Sequence, residues 1–154
     1  MAKRRNVLRI RFWGILAAAG IKRLGWSEDV VTEFLSIEDC LPAVAQGSLG
    51  IECREDDVEL LAELAKLTDA ATWKEAHAER AFLAAMDGGC QVPIAGYAKS
   101  NGEEMTLTGL VAAPDASVIY KETLTGKDAI ALGKEAVLTV RCGGLPIETL
   151  SCRQ

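Results

Sequence analysis

The residues best placed to do covalent chemistry are Gly88-Gly89-Cys90-Gln91-Val92-Pro93-Ile94. A cysteine follows two glycines at the point where a helical pattern gives way to an extended one. Glycine admits backbone angles that other residues resist, and it removes bulk beside the thiol. This spacing predicts a sulfur on a short, adjustable loop with room for a large neighbour, which suits a thiol that carries a covalent group. The thiolate is the reactive form. The competing reading is that Gly88 and Gly89 only stop the helix and Cys90 packs as a small hydrophobe. The other cysteines, Cys40, Cys53, Cys142 and Cys152, make no C-x-x-C spacing, and the chain has one histidine, His77. A zinc site is therefore not expected. No second cysteine lies near Cys90 in sequence to resolve a disulfide. An odd cysteine count without a secretory signal predicts reduced thiols and a cytoplasmic setting.

The elements around this loop follow from periodicity. Asp56 or Asp57 is placed to cap a helix running to about Leu67, with Val58, Leu61, Ala62 and Ala65 on one face. Thr72-Trp73-Lys74-Glu75 has capping-box spacing. The helix behind it carries Ala78, Ala81, Phe82, Ala85 and Met86 at helical spacing, a core stripe, with His77 off that face at the surface. Three strand-like runs follow at about 91–98, 105–112 and 117–124. They are separated by the hairpin signal Asn101-Gly102 and by Pro114-Asp115. Pro93 cannot donate to a ladder, so the first strand should have one neighbour or begin after it. A last helix spans about 127–140. Ahead of these, residues 12–17 read as a buried strand entering a short helix through Leu24, and residues 49–54 as a strand with Cys53 in the core. The expected fold is α+β: a three-stranded antiparallel meander with helices on one face, preceded by a partial α/β segment.

At 154 residues the chain is long enough for a real core, and its 49% apolar and 25% charged residues are ordinary for a globular protein. Charge is uneven. Residues 1–26 hold seven of the seventeen basic side chains and no acidic one, while the net charge is −5. A basic segment suits nucleic acid, an anionic membrane or an acidic ligand. No nucleic-acid motif accompanies it. The apolar run from Phe12 to Ile21 is too short to span a bilayer, and Arg9 and Arg11 break its front, so neither a signal peptide nor a membrane contact is expected.

Several blocks carry a resemblance to one family. Gly-Gly-Cys-Gln-Val-Pro-Ile-Ala-Gly-Tyr-Ala (88–98) resembles the cofactor-attachment segment of porphobilinogen deaminase, also called hydroxymethylbilane synthase. Residues 41–54 (LPAVAQGSLGIECR), 16–25 (LAAAGIKRLG), 78–83 (AERAFL) and 107–112 (LTGLVA) are similar to further blocks, in family order. The resemblance implies an enzyme that joins four porphobilinogen units head to tail, with loss of ammonia, on a dipyrromethane held by a thioether. It makes Cys90 the anchor, flanked by Gly88 and Gly89. It makes Arg23 and Gln46 contacts for substrate or product carboxylates. Arginine's planar fork suits that role, while a surface helix arginine and a locally bonded turn glutamine remain the alternatives. The family usually has glycine where this chain has Ala45, so a special backbone angle is not expected there.

The resemblance also implies that the chain corresponds to the carboxy-terminal half of such an enzyme. Residues 1–54 would be a remnant of the substrate-binding α/β domain, and 55–154 the cofactor-anchoring α+β domain. The family's catalytic aspartate has no counterpart here, so no catalytic residue is assigned and no turnover is expected from this chain alone. Its partners would be porphobilinogen and linear oligopyrroles. The rival expectation is a non-catalytic module whose exposed amino-terminal residues, Phe12, Trp13 and Ile15, form a homodimer or a mobile segment.

Overall fold

The structure, a computed structural model, describes residues 14–26, 31–86 and 93–142. The chain divides into two compact units, 1–36 and 37–154. In the first, the described residues form one helix, α1 (Ala18–Arg23), with no buried residue. It ends at Leu24, and Gly25 takes a positive φ of 64°, as a glycine after a helix commonly does. Residues 14–17 join no strand. The remainder of the strand expected at 12–17 lies outside the described residues.

The second unit contains α2 (Val58–Ala65), α3 (Ala70–Met86), β1 (Ile94–Asn101), β2 (Glu104–Ala112), β3 (Ile119–Gly126) and α4 (Ala129–Cys142). Asp57 caps α2, its carboxylate accepting from the Leu60 N–H at 3.1 Å. None of α2 is buried, so the cap supports a helix that packing does not. Asp57→Ala should therefore loosen α2 by about 1 kcal/mol, read as faster amide exchange at Leu60 and Leu61 with unchanged exchange in the sheet.

The start of α3 differs from the sequence expectation. Asp69 caps it, accepting from the Thr72 N–H at 2.8 Å, and the helix begins at Ala70. Thr72 is inside the first turn, and the Glu75 carboxylate is committed elsewhere. Hydrogen bonds from Thr72 hold the Asp69 carboxyl below its usual range.

The sheet is antiparallel in the order β1-β2-β3. Gly102, at φ 76°, makes the tight turn between β1 and β2. In the second turn the Asp115 carboxylate accepts from the Ser117 N–H and hydroxyl. β1 begins directly after Pro93, as one of the two arrangements open to the proline, and it is an edge strand. In β2, Met105, Leu107, Gly109 and Val111 are buried while the residues between them are half-covered, the period-two signature of a sheet with one core face. Both α3 and α4 pack on that face and on each other. The core comprises Ala78, Phe82 and Met86 from α3, Ala98 from β1, Met105, Leu107 and Val111 from β2, and Leu132, Ala136, Val137 and Val140 from α4. Each fully buried large side chain here contributes roughly 1.5–3 kcal/mol of transfer free energy. The opposite face is polar, with Thr108 and Thr123 hydroxyls bonded across the strands at 2.9 Å.

Residues 49–54 form no strand. Leu49 and Ile51 are 94% and 61% exposed, and Cys53 is half-buried rather than in the core. The alternation that suggested a strand is present, but no other strand pairs with it.

Candidate functional site

Residues 42–48 form a compact double turn against β1 and α3. The Gln46 N–H donates to the Ala43 carbonyl at 3.0 Å, and the Ser48 N–H to the Ala45 carbonyl at 3.1 Å. Gly47 has φ 88°, where glycine is at home. Ala45 has φ 57°, which costs a residue with a Cβ roughly 1–2 kcal/mol. The special backbone angle not expected at Ala45 is therefore present.

Glu79 explains how it is held. This side chain is 7% exposed and reaches from α3 to two backbone groups. Its Oε2 accepts the Ala45 N–H at 2.6 Å, and its Oε1 accepts the Ala98 N–H of β1 at 2.7 Å. One helical turn earlier, Glu75 accepts the Ser100 N–H at 2.7 Å. The Gly96 N–H donates to the Pro42 carbonyl at 3.1 Å. Three successive outward N–H groups of β1, at 96, 98 and 100, thus end on the turn and the two glutamates. The side chain of Val44 packs toward Gly96, where a Cβ would lie 3.2 Å from it.

Between the turn, α3 and β1 lies an open cavity of about 260 Å³, lined among others by Gln46, Ser48, Thr72, Glu75, Glu79 and Tyr97. Burial pushes the Glu79 carboxyl above its ordinary value, against the opposing pull of the Ala98 and Ala45 amides; the Glu75 charge adds to the rise. The native state therefore binds this proton more tightly than the unfolded chain does. The Glu79 contribution favours the fold most below the ordinary glutamate value of 4.5 and declines as pH rises from there through the raised value. In a carboxyl-carbon NMR titration, Glu79 should titrate above the exposed glutamates, and Glu79→Gln should remove that segment of the stability–pH curve.

The sequence-derived site residues fall as follows. Gln46 is exposed and lines the cavity, and its Oε1 accepts the Ala43 N–H at 3.1 Å. The local turn bond is thus made, and the amide's Nε2 is the end left to donate. Arg23 is the exposed last residue of α1, in the other unit. Cys90, Gly88 and Gly89 lie outside the described residues. His77 stacks on Trp73, ring centroids 3.6 Å apart, with Nδ1 2.7 Å from the Trp73 carbonyl oxygen, which gives it a structural partner. Among the described residues no cluster of His, Cys, Asp or Glu could hold a metal ion, and no helix is long and apolar enough to cross a membrane. Sequence reasoning missed Glu79. The available signal was a carboxylate between the core positions Ala78 and Phe82.

Comparison with known proteins bears on the same segments. Residues 12–62 match the family profile "Porphobilinogen deaminase, dipyromethane cofactor binding domain", and residues 73–141 match "Porphobilinogen deaminase, C-terminal domain". The chain is 86% identical over 121 residues to a porphobilinogen deaminase of Lysinibacillus sphaericus (strain C3-41), covering 79% of this chain and 39% of the relative. It is 59% identical over 132 residues to that of Bacillus subtilis (strain 168), covering 85% of this chain and 40% of the relative. For Staphylococcus aureus (strain bovine RF122 / ET3-1) the identity is 53% over 122 residues, covering 79% and 40%. The chain thus spans about 40% of the length of these relatives. With two profiles of one family matched in order along it, and relatives of this identity, the chain belongs to the porphobilinogen deaminase family.

Proposed function

We propose that this chain supplies the cofactor-anchoring part of a hydroxymethylbilane synthase, with Cys90 as the anchor and residues 55–154 as the anchoring domain. The observation that carries the reading is the match of two profiles of one family, the C-terminal-domain profile over residues 73–141, which include Cys90, and the cofactor-binding-domain profile over residues 12–62. A dipyrromethane bound at Cys90 would supply the end on which a pyrrole chain is extended. Cys90 would hold that group through a thioether, its sulfur bonded to the former aminomethyl carbon, with the amine and the thiol proton leaving together as ammonia. The Gln46 amide fits a carboxylate-bearing ligand, because its oxygen is held by Ala43 and its Nε2 is a donor. Arg23, in the other unit, is proposed from the resemblance alone and carries a planar, two-pronged donor that suits a carboxylate. Glu75 and Glu79 line the same cavity, so a polyanion would meet the exposed Gln46 from solvent rather than enter beside the two carboxyls. Ammonia loss itself needs an acid that resemblance assigns to no residue here, so the chain alone is expected not to turn over porphobilinogen.

Intact-protein mass spectrometry tests the anchor. The active enzyme containing this chain should carry a dipyrromethane adduct that maps to Cys90 and vanishes in Cys90→Ser. An active enzyme with an unmodified Cys90 would sink the assignment. A second reading, self-association through the amino-terminal apolar residues, is favoured by Ile15 and Leu16, 78% and 64% exposed. Light scattering decides it: a concentration-independent monomer rules it out.

A further inference from the structure

We propose that Glu79 is a positioning residue for Gln46: its single carboxylate, spanning the Ala45 and Ala98 N–H groups, locks the left-handed turn at Ala45 and thereby sets where the neighbouring Gln46 amide points. The inference rests on the reading of Gln46 as a substrate contact, and extends it to a side chain that touches no substrate.

Ala45 occupies a conformation that alanine disfavours, at φ 57°. Such a geometry persists only where its surroundings over-determine it. Four constraints meet there. The Ala45 N–H ends on Glu79 Oε2, and the Ala45 carbonyl accepts from Ser48. The Pro42 carbonyl is tied to Gly96, and the Ala43 N–H to Gln46 Oε1. Of these, only the Glu79 bond reaches α3. The other oxygen of the same carboxylate holds β1. Glu79 therefore joins the turn bearing Gln46 to the two elements, α3 and β1, that flank residues 87–93 in sequence, the stretch that contains Cys90. A carboxylate suits this because both its oxygens accept. A glutamine has one acceptor and must turn its NH2 toward one of the two amides, leaving that N–H buried and unmatched.

The test is NMR on the full 154-residue chain, comparing Glu79→Gln and Glu79→Ala with the parent. In Glu79→Gln, amide exchange at Ala45 and Gln46 should quicken by about tenfold, while Phe82 and Leu107 in the core keep their protection. The coupling constant and carbon shifts that report positive φ at Ala45 should move toward ordinary values in both variants. A general destabilisation would instead quicken exchange throughout the domain, and that uniform pattern would overturn the proposal. So would an Ala45 that keeps its protection and its left-handed signature in Glu79→Ala. The substrate role of Gln46 is read separately in the assembled enzyme. There Gln46→Ala and Glu79→Gln should both raise KM for porphobilinogen more than they lower kcat. A Gln46→Ala enzyme with unchanged KM removes the substrate-contact reading while the exchange result stands on its own.

Discussion

Phe82→Ala is expected to cost about 3–5 kcal/mol, the range for emptying a large aromatic site in a core. The side chain is fully buried at the junction of α3 with β1 and β2. Its ring lies over the paired residues Gly96 and Gly109. A Cβ at Gly109 would come within 2.7 Å of Phe82 Cζ, and one at Gly96 within 3.5 Å of Phe82 Cδ1. The two glycines form a floor that admits the ring, so the remaining backbone has no side chain with which to refill the space. A loss of this size is a large share of the 5–15 kcal/mol that stabilises a typical domain. Urea denaturation should show a fall in midpoint with little change in slope. The companion substitution Gly109→Ala should overpack the same spot and cost about 1–3 kcal/mol. Combined with Phe82→Leu, it should cost less than the sum of the two alone, because the shorter side chain vacates the position of the new methyl. Strict additivity would show that ring and glycine do not share that space.

Gly133→Ala is expected to be nearly as damaging, although on helix propensity alone it should stabilise by about 1 kcal/mol. A Cβ at Gly133 would lie 2.5 Å from the Ala78 carbonyl oxygen, 2.7 Å from Ala81 Cβ and 2.7 Å from the Phe82 backbone nitrogen. Two of those atoms are main chain of α3, and neither can swing aside as a long side chain would. The methyl can be accommodated only by parting α4 from α3, and both helices contribute to the one core. A net loss of about 2–4 kcal/mol follows, at the upper end of overpacking costs. A denaturation midpoint at or above that of the parent would show that the helices do not cross so closely.

The meander and its helices were readable because each carried its own local signal. Asn101-Gly102 and Pro114-Asp115 marked the turns, and Pro93 marked where β1 could begin. The stripe Ala78, Phe82 and Met86 named the buried face of α3. What was misread depended on partners distant in sequence. Glu75 had the spacing of a capping-box acid, but the Ser100 N–H, twenty-five residues away, takes its carboxylate, and Asp69 caps the helix in its place. Alanine gave no reason to expect a left-handed angle at residue 45; the reason is an N–H bound by a glutamate thirty-four residues on. Gly133 looks like any helical glycine until α3 is placed against it. Residues 49–54 alternate as a strand should, yet alternation supplies no neighbour. For the candidate site, Gln46 was identified with both of its roles in view, and the structure adds the bond to Ala43.

The tethering of Gly96, Ala98 and Ser100 by Pro42, Glu79 and Glu75 has a consequence for how the sheet can grow. A foreign strand zipping onto that rim would find its docking amides already spoken for, and would first have to peel away two buried or half-buried carboxylates. At the opposite rim, Lys121 of β3 donates from Nζ to the Glu38 carbonyl at 2.9 Å. A polypeptide that lengthens this sheet at β1, whether a legitimate partner or the first layer of an aggregate, must therefore first break the bonds that hold Gly96, Ala98 and Ser100.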